Sequence, residues 1–219
     1  MAADPAPATR AERRDRASAD TRSRILEAAR SCLLADGYAN LSTRRVAEAA
    51  DVPLSQIHYY FGSKQELILA VLAVENDRLL ARQASMFAGD EPLWKQWDRA
   101  CDFLETDLES GYVRILQEMI AAGWSDAVLA ASVRELIGGW LDLLTDVARR
   151  EEKRNGGLGP FTPEEVAALM GLPFMGAESL ILLGITETSL PSRSALRKVG
   201  ILLQGIGSTA ADATGGEPR

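Results

Sequence analysis

The chain has 219 residues, 47% hydrophobic and 25% charged, which is enough apolar side chain for one or two buried cores and too much for a disordered polymer. Two widely separated cysteines, Cys32 and Cys101, and a single histidine exclude a disulfide scaffold and any zinc site of ordinary Cys/His stoichiometry, so reduced thiols and a cytoplasmic location are expected. The formal charge of −7 is unevenly spread: residues 1–67 carry ten Lys/Arg against nine Asp/Glu, and residues 68–219 fourteen against twenty-two.

The opening stretch, MAADPAPATRAERRDRASAD, lacks the apolar core of a secretory signal, and Asp4, Glu12, Asp15 and Asp20 speak against a transit peptide. Residues 1–19 are expected to be a disordered basic arm. There and just beyond, Arg10, Arg13, Arg14, Arg16, Arg22 and Arg24 crowd together, as either a phosphate-seeking arm or a solvated tail. Gly and Pro clusters cut the rest into helix-length pieces without sustained period-two alternation, so the expected fold class is all-α.

Ile25, Ala29, Cys32 and Leu33 follow helical spacing, and Gly37 is placed to end that helix. Short helices are expected over 43–50 and 54–60. Ser63 and Glu66 then form a capping box that opens a long helix toward Met86. After GDEP at 89–92 come helices near 93–109, 112–121 and 126–153, then the loop NGGLGP at 155–160. Thr162, Pro163 and Glu165 supply the N-cap, N1 proline and N3 acid of a helix ending near Glu187. Its stretch from Val166 to Ile185 approaches membrane length, but Pro173 and Glu178 interrupt it and no basic flank anchors it, so it reads as buried and no membrane partner is expected. A last helix from Ser192 to about Gly207 carries Leu196, Val199, Leu203 and Ile206, and residues 208–219 read as a disordered tail.

The window from Thr43 to Gly62 is the most informative. Two closely crossing helices need a small residue at the crossing, here Ala47, and apolar residues facing a shared core, here Val46, Ala50, Val52 and Ile57. The sharp turn between them falls on Asp51, one of the few residue types that take a left-handed backbone at tolerable cost.

RILEAA at 24–29, DGY at 36–38 and LSTRRVAEAADVPLSQIHYYFGSKQELILAV at 41–71 together resemble the DNA-binding domain of the TetR/AcrR family of bacterial transcriptional regulators. The likeness covers about residues 20–72 and departs from the usual pattern at Asp51 for glycine, at Pro53 for a capping hydroxyl, and at His58 for tyrosine. It implies an N-terminal three-helix DNA-binding domain with a helix-turn-helix over 20–72, followed over 73–207 by a larger helical domain for effector binding and dimerisation. The implied partners are a double-stranded DNA operator, a small-molecule effector and a second copy of the chain in a homodimer, with no cofactor.

Groove chemistry then assigns roles. Arg44 matches a position that reaches a base edge in some family members, with a phosphate contact as the alternative. Leu54, Ser55 and His58, on the start of the recognition helix, are candidates for base contact. Thr43, Gln56, Tyr59, Tyr60 and Lys64 carry donors suited to phosphate, with core packing the alternative for Tyr60 and the expectation for Phe61. His58 reads as a plain hydrogen-bond partner rather than a pH sensor or metal ligand.

Asp98, Asp102, Glu105 and Glu109 share a helical face, but no second helix offers a matching Glu-x-x-His, and a solvated face is the reading. With no phosphate loop or nucleophile elbow either, the chain does not read as an enzyme; a helical carrier or enzyme with a vestigial helix-turn-helix is the alternative. Candidate effector-pocket walls are Phe103, Met119, Trp124, Trp140, Met170 and Phe174, with Glu178 as a polar anchor or a cross-dimer partner, and ordinary packing is the alternative for each. Bulky apolar walls suggest a mostly apolar effector. The resemblance implies dimerisation through the last two helices, and the stripe Leu196, Val199, Leu203 and Ile206 is the expected interface.

Overall fold

The computed structural model describes residues 9–206, all of whose regular elements are helices. In chain order these are α1 (Arg10–Asn40), α2 (Thr43–Ala49), α3 (Leu54–Phe61), α4 (Lys64–Met86), α5 (Leu93–Ser110), α6 (Tyr112–Gly123), α7 (Ala127–Asn155), α8 (Pro163–Leu182) and α9 (Ser192–Gly205). They form two compact units that divide after Ala73.

The expectation of disorder over 1–19 fails at residues 10–19, which form the first turns of α1. Thr9 and Glu12 start that helix with a capping box: the Thr9 hydroxyl accepts from the Glu12 amide at 3.3 Å, and the Glu12 carboxylate accepts from the Thr9 amide at 2.7 Å. Residues 1–8, and the tail expected over 208–219, lie outside the described residues. Gly37 (φ 75°) interrupts α1 as expected, and the next three residues resume helical form. The core of this first unit joins Ile25, Ala29 and Leu33 of α1 to Val46 and Ala47 of α2, and to Ile57 and Phe61 of α3.

In the second unit, Trp97 of α5 is the central buried side chain. Its indole N–H donates to the Leu196 carbonyl of α9 at 2.9 Å, and its ring meets Phe174 of α8 edge-on at 5.0 Å. Gly200 lets α9 come this close, since a Cβ there would stand 3.2 Å from the indole. Helix α5 begins at Pro92 without a side-chain cap of its own; the buried Glu151 of α7 instead accepts the Leu93 amide at 3.2 Å. Helix α8 ends at Leu182 rather than near Glu187, because Gly184 turns left-handed (φ 81°) and the Ile185 amide folds back to the Leu180 carbonyl at 3.0 Å. By length and composition α8 is long and apolar enough to cross a membrane, yet Val166, Ala167, Met170 and Ala177 lie in the helical core.

Two expectations are corrected by how α9 packs. Leu196, Leu203 and Ile206 are not an open interface: they are buried in their own chain's core, with Val199 half-buried against it. A single amphipathic stripe finds its cover on α5 and α8 of the same chain. The acidic stripe of α5 is also not merely solvated, since Asp98 and Asp102 both pair with Arg197 of α9 at 2.6 Å and Glu105 pairs with Arg193. These pairs are about half exposed, so each contributes at most about 1 kcal/mol and they serve mainly to set the α5–α9 register. The large apolar side chains left exposed on α8 and α9 are Leu169, Leu172, Leu182, Ile201 and Leu202.

Because Leu203 is core, Leu203→Ala is expected to cost about 2–5 kcal/mol of unfolding free energy, measurable by urea titration at fixed protein concentration.

Candidate nucleic-acid interface and effector cavity

Asp51, at φ 52°, is the non-glycine residue with positive φ among those described, and it closes the turn between α2 and α3. The Val52 amide reaches back to the Ala47 carbonyl at 3.0 Å, which makes the turn a left-handed helix cap. Arg24 of α1 donates to the carbonyls of Ala50 and Asp51, the latter at 3.1 Å, placing a cation and its donors on the last carbonyls of α2. Helix α3 starts at Pro53 without a side-chain cap and ends at Gly62 (φ 73°). A Cβ at Gly62 would stand 2.3 Å from the Glu66 carboxylate, which accepts the Ser63 amide at 3.1 Å in the expected capping box. Glycine is therefore required there twice over, by backbone sign and by space.

Of the residues assigned to bases, Arg44, Ser55 and His58 are exposed and Leu54 is half-buried. The His58 Nδ1 lies 3.1 Å from the Gly62 carbonyl of its own helix end, which leaves Nε2 for an outside partner. Tyr59 is 81% exposed, an orientation that packing within the unit does not explain. Thr43, Gln56, Tyr60 and Lys64 are half-buried. Two of them already hold the unit together, the Tyr60 hydroxyl 3.0 Å from Ser18 Oγ and the Lys64 ammonium 5.0 Å from the Tyr38 ring centre. Phe61 is buried under the Arg22 guanidinium, as packing requires. The supporting roles of Ser18, Arg22 and Arg24 were not legible as such, because helical spacing shows which residues share a face but not what that face meets.

In the second unit, α4 to α8 enclose a cavity with about 890 Å³ of empty space, its mouth included and much of it in narrow clefts between side chains. Phe103, Trp140, Met170, Phe174 and Glu178, named from the sequence, all line it. Met119 and Trp124 do not: Met119 is fully buried outside the lining, and Trp124 is 82% exposed at the end of α6. Sequence reading missed the contributions of Arg82 on α4, Asp107 on α5 and Tyr112 on α6.

The cavity's polar groups are mostly partnered. Trp140 donates to Gln83 at 2.7 Å, the Tyr112 hydroxyl donates to Asn76 at 2.8 Å, and Arg82 pairs with Asp107 while lying 5.4 Å from the Phe103 ring centre. Glu178 has no such partner, and burial, with the Asp107 charge adding to it, pushes its carboxyl up to about 8. Burial also raises Asp107, against the pull of Arg82. The Tyr112 phenol is raised by burial and by the carboxylates of Glu178, Asp107 and Glu75.

A left-handed helix-turn-helix, an exposed reading face and a separate helical unit with an apolar cavity define the architecture of a one-chain bacterial regulator. Residues 25–71 match the model of the bacterial regulatory proteins of the tetR family, and the chain belongs to that family. The HTH-type transcriptional repressor KstR of Rhodococcus jostii (strain RHA1) is 38% identical over 66 residues, spanning 30% of this chain and 31% of that protein. Beyond this segment the likeness is one of fold. A putative TetR-family transcriptional regulator from Rhodococcus sp. superposes with a TM-score of 0.69 at 20% identity, covering 86% of this chain and 99% of that one. The transcriptional regulator FadR of Bacillus subtilis, solved in complex with stearoyl-CoA, superposes with a TM-score of 0.69 at 13% identity, covering 83% and 96%. The family and the curated relative are regulators of transcription, not enzymes.

The Glu178 carboxyl is raised in the fold, from 4.5 to about 8, so the folded chain keeps a proton that the unfolded chain releases above about pH 4.5. Stability is therefore lost as pH rises through that window and levels off above 8. Glu178→Gln removes the effect: thermal melts should show the variant gaining on wild type between pH 5 and pH 8, by at most about 5 kcal/mol.

Proposed function

We propose that the protein is a cytoplasmic, homodimeric transcriptional repressor that binds a palindromic operator and is released from it by a mostly apolar small molecule. The observation that carries this reading is the helix-turn-helix whose exposed face offers Arg44, Ser55, His58 and Tyr59, on a chain whose second unit holds an enclosed apolar cavity. Arg44 is suited to a bidentate contact with guanine, Ser55 and His58 to base edges, and Leu54 to a thymine methyl. Thr43, Gln56 and Tyr59 are suited to phosphates, as are Tyr60 and Lys64 if their internal contacts persist beside the backbone. Arg13, Arg14 and Arg16, exposed on the first turns of α1, extend the positive surface available to phosphate.

The repressor sign is supported by the relative named as a repressor, and the apolar effector by the aromatic cavity walls and by the FadR complex with stearoyl-CoA. Helix α4 connects the two activities along the chain: its first turns belong to the DNA-binding unit, and Leu79, Arg82, Gln83 and Met86 farther along it line the cavity. A ligand that prefers one arrangement of α4 changes operator affinity only by its own preference between states.

The dimer interface is reassigned to the apolar side chains that remain exposed, Leu169 and Leu172 of α8 with Ile201 and Leu202 of α9. Paired about a two-fold axis they form an isologous apolar contact. Leu172→Glu with Ile201→Glu is expected to give a folded monomer by sedimentation, with weak binding to full operator sites; an unchanged dimer moves the interface elsewhere.

Selection of bound fragments from random or genomic DNA with purified protein tests the reading as a whole. It should enrich a palindrome with half-sites about 34–36 Å apart or a multiple of that spacing. Arg44→Ala should lose about 1–3 kcal/mol and relax one position of each half-site. No enrichment would favour a helical carrier that has lost DNA binding.

A further inference from the structure

The cavity contains one polar group that the fold does not use. Glu178 projects from α8 into a space walled by Trp97, Phe103, Trp140 and Phe174, deeply buried and without a hydrogen bond or ion pair to any described residue. A buried carboxyl left without a partner costs stability, and packing could be satisfied at that position by an apolar side chain of similar volume. The charged groups around it are also unequal. Arg82 of α4 is already committed to Asp107 of α5, so an anionic head entering the cavity meets two carboxyls and a guanidinium that is taken. A cationic head meets a carboxyl with no competing partner and the faces of four aromatic rings, the surroundings that hold an ammonium out of water.

Resting on the reading of this cavity as the effector site, we propose that its ligand is an apolar monocation, an aromatic or aliphatic ammonium whose charge is held by the Glu178 carboxylate and the aromatic walls. Without ligand, the carboxyl keeps its proton and the cavity carries no uncompensated charge, because Arg82 and Asp107 neutralise each other. When the cation enters, Glu178 releases one proton to solvent and the incoming charge replaces it. The interior thus exchanges one positive charge for another, avoiding the burial of a lone ion. Proton release follows directly, and ligand affinity must rise with pH until Glu178 is ionised in the empty protein.

The groups facing Glu178 do not confuse this signal. Arg82 and Asp107 form a pair, the Tyr112 phenol of α6 is displaced far to the alkaline side, and α7 contributes only Leu136, Ile137, Trp140 and Leu144 to the lining. Glu75, which bears on Tyr112, is itself paired with Arg78 at 2.6 Å.

The test uses the full chain, phenyltrimethylammonium as a permanently charged probe and tert-butylbenzene as its neutral isostere, with binding followed by tryptophan emission and calorimetry between pH 6 and pH 9. Wild type should prefer the cation at least tenfold at pH 8, with affinity rising up to tenfold per pH unit below about 8 and flattening above, and with proton release measured in buffers of different ionisation enthalpy. Glu178→Gln, which keeps the shape, should lose at least tenfold in affinity for the cation and all of the pH slope, while binding tert-butylbenzene as wild type does. Equal affinity for the two probes, or a cation affinity unaffected by Glu178→Gln, overturns the proposal. Because these measurements contain no DNA, their failure leaves the regulatory reading intact. Conversely, a Glu178-dependent cation that fails to displace operator DNA supports the cation site while refuting the cavity's regulatory role.

Discussion

The second unit is organised by the burial of Trp97. An indole can be fully buried only if its N–H finds an acceptor, and here that acceptor is a main-chain carbonyl of α9, so satisfying one donor fixes where the last helix lies. The same ring meets Phe174 edge-on, which ties α8 to α5, and its close approach to α9 requires Gly200. Once these three helices are joined, the outer face of α5 brings its acids opposite Arg193 and Arg197, and the remaining apolar surface of α8 and α9 is left outside. The opposite edge of the Trp97 side chain becomes a wall of the cavity. Packing, register, the exposed patch and the binding space therefore share one origin.

The DNA-binding unit relies on a different constraint, the sharpness of its turn. A left-handed residue at position 51 is the point from which α3 departs, and aspartate carries some cost there that glycine would not. Arg24 offsets that cost by ordering the carbonyls on either side of the turn, and Tyr60 and Phe61 are fixed from α1 through Ser18 and Arg22. Residues that read as a loose basic arm are thus part of the scaffold that orients the reading face. The positive charges that remain unspent lie farther toward the N-terminus, at Arg13, Arg14 and Arg16.

Polar groups inside the cavity show how function departs from stability. Asn76, Gln83, Arg82 and Asp107 are each matched to a neighbour, as folding alone demands. Glu178 is the exception, and an exception of this kind is where a binding chemistry leaves its mark on a fold. Its elevated acid constant is a consequence of burial and of the Asp107 charge rather than of any designed proton relay.

The amino-acid sequence by itself determined the helical class, both capping boxes at Ser63 and Thr162, the left-handed turn at Asp51 and the family of the N-terminal segment. These depend on interactions among residues a few positions apart, whose geometry a helix or turn dictates in advance. The capping box at Thr9 belongs to the same legible kind, and the richness of the surrounding arginines hid it. What only the tertiary structure decided are the interactions whose partners lie far apart in the chain. Glu151 caps α5 across 58 positions, and Trp97 reaches Leu196 across 99. For the same reason Leu196, Leu203 and Ile206 turned inward, Met119 and Trp124 fell outside the cavity, and Arg82 and Asp107 entered it. Periodicity fixes the apolar face of each helix, but which neighbour covers that face is settled by the simultaneous burial of all of them.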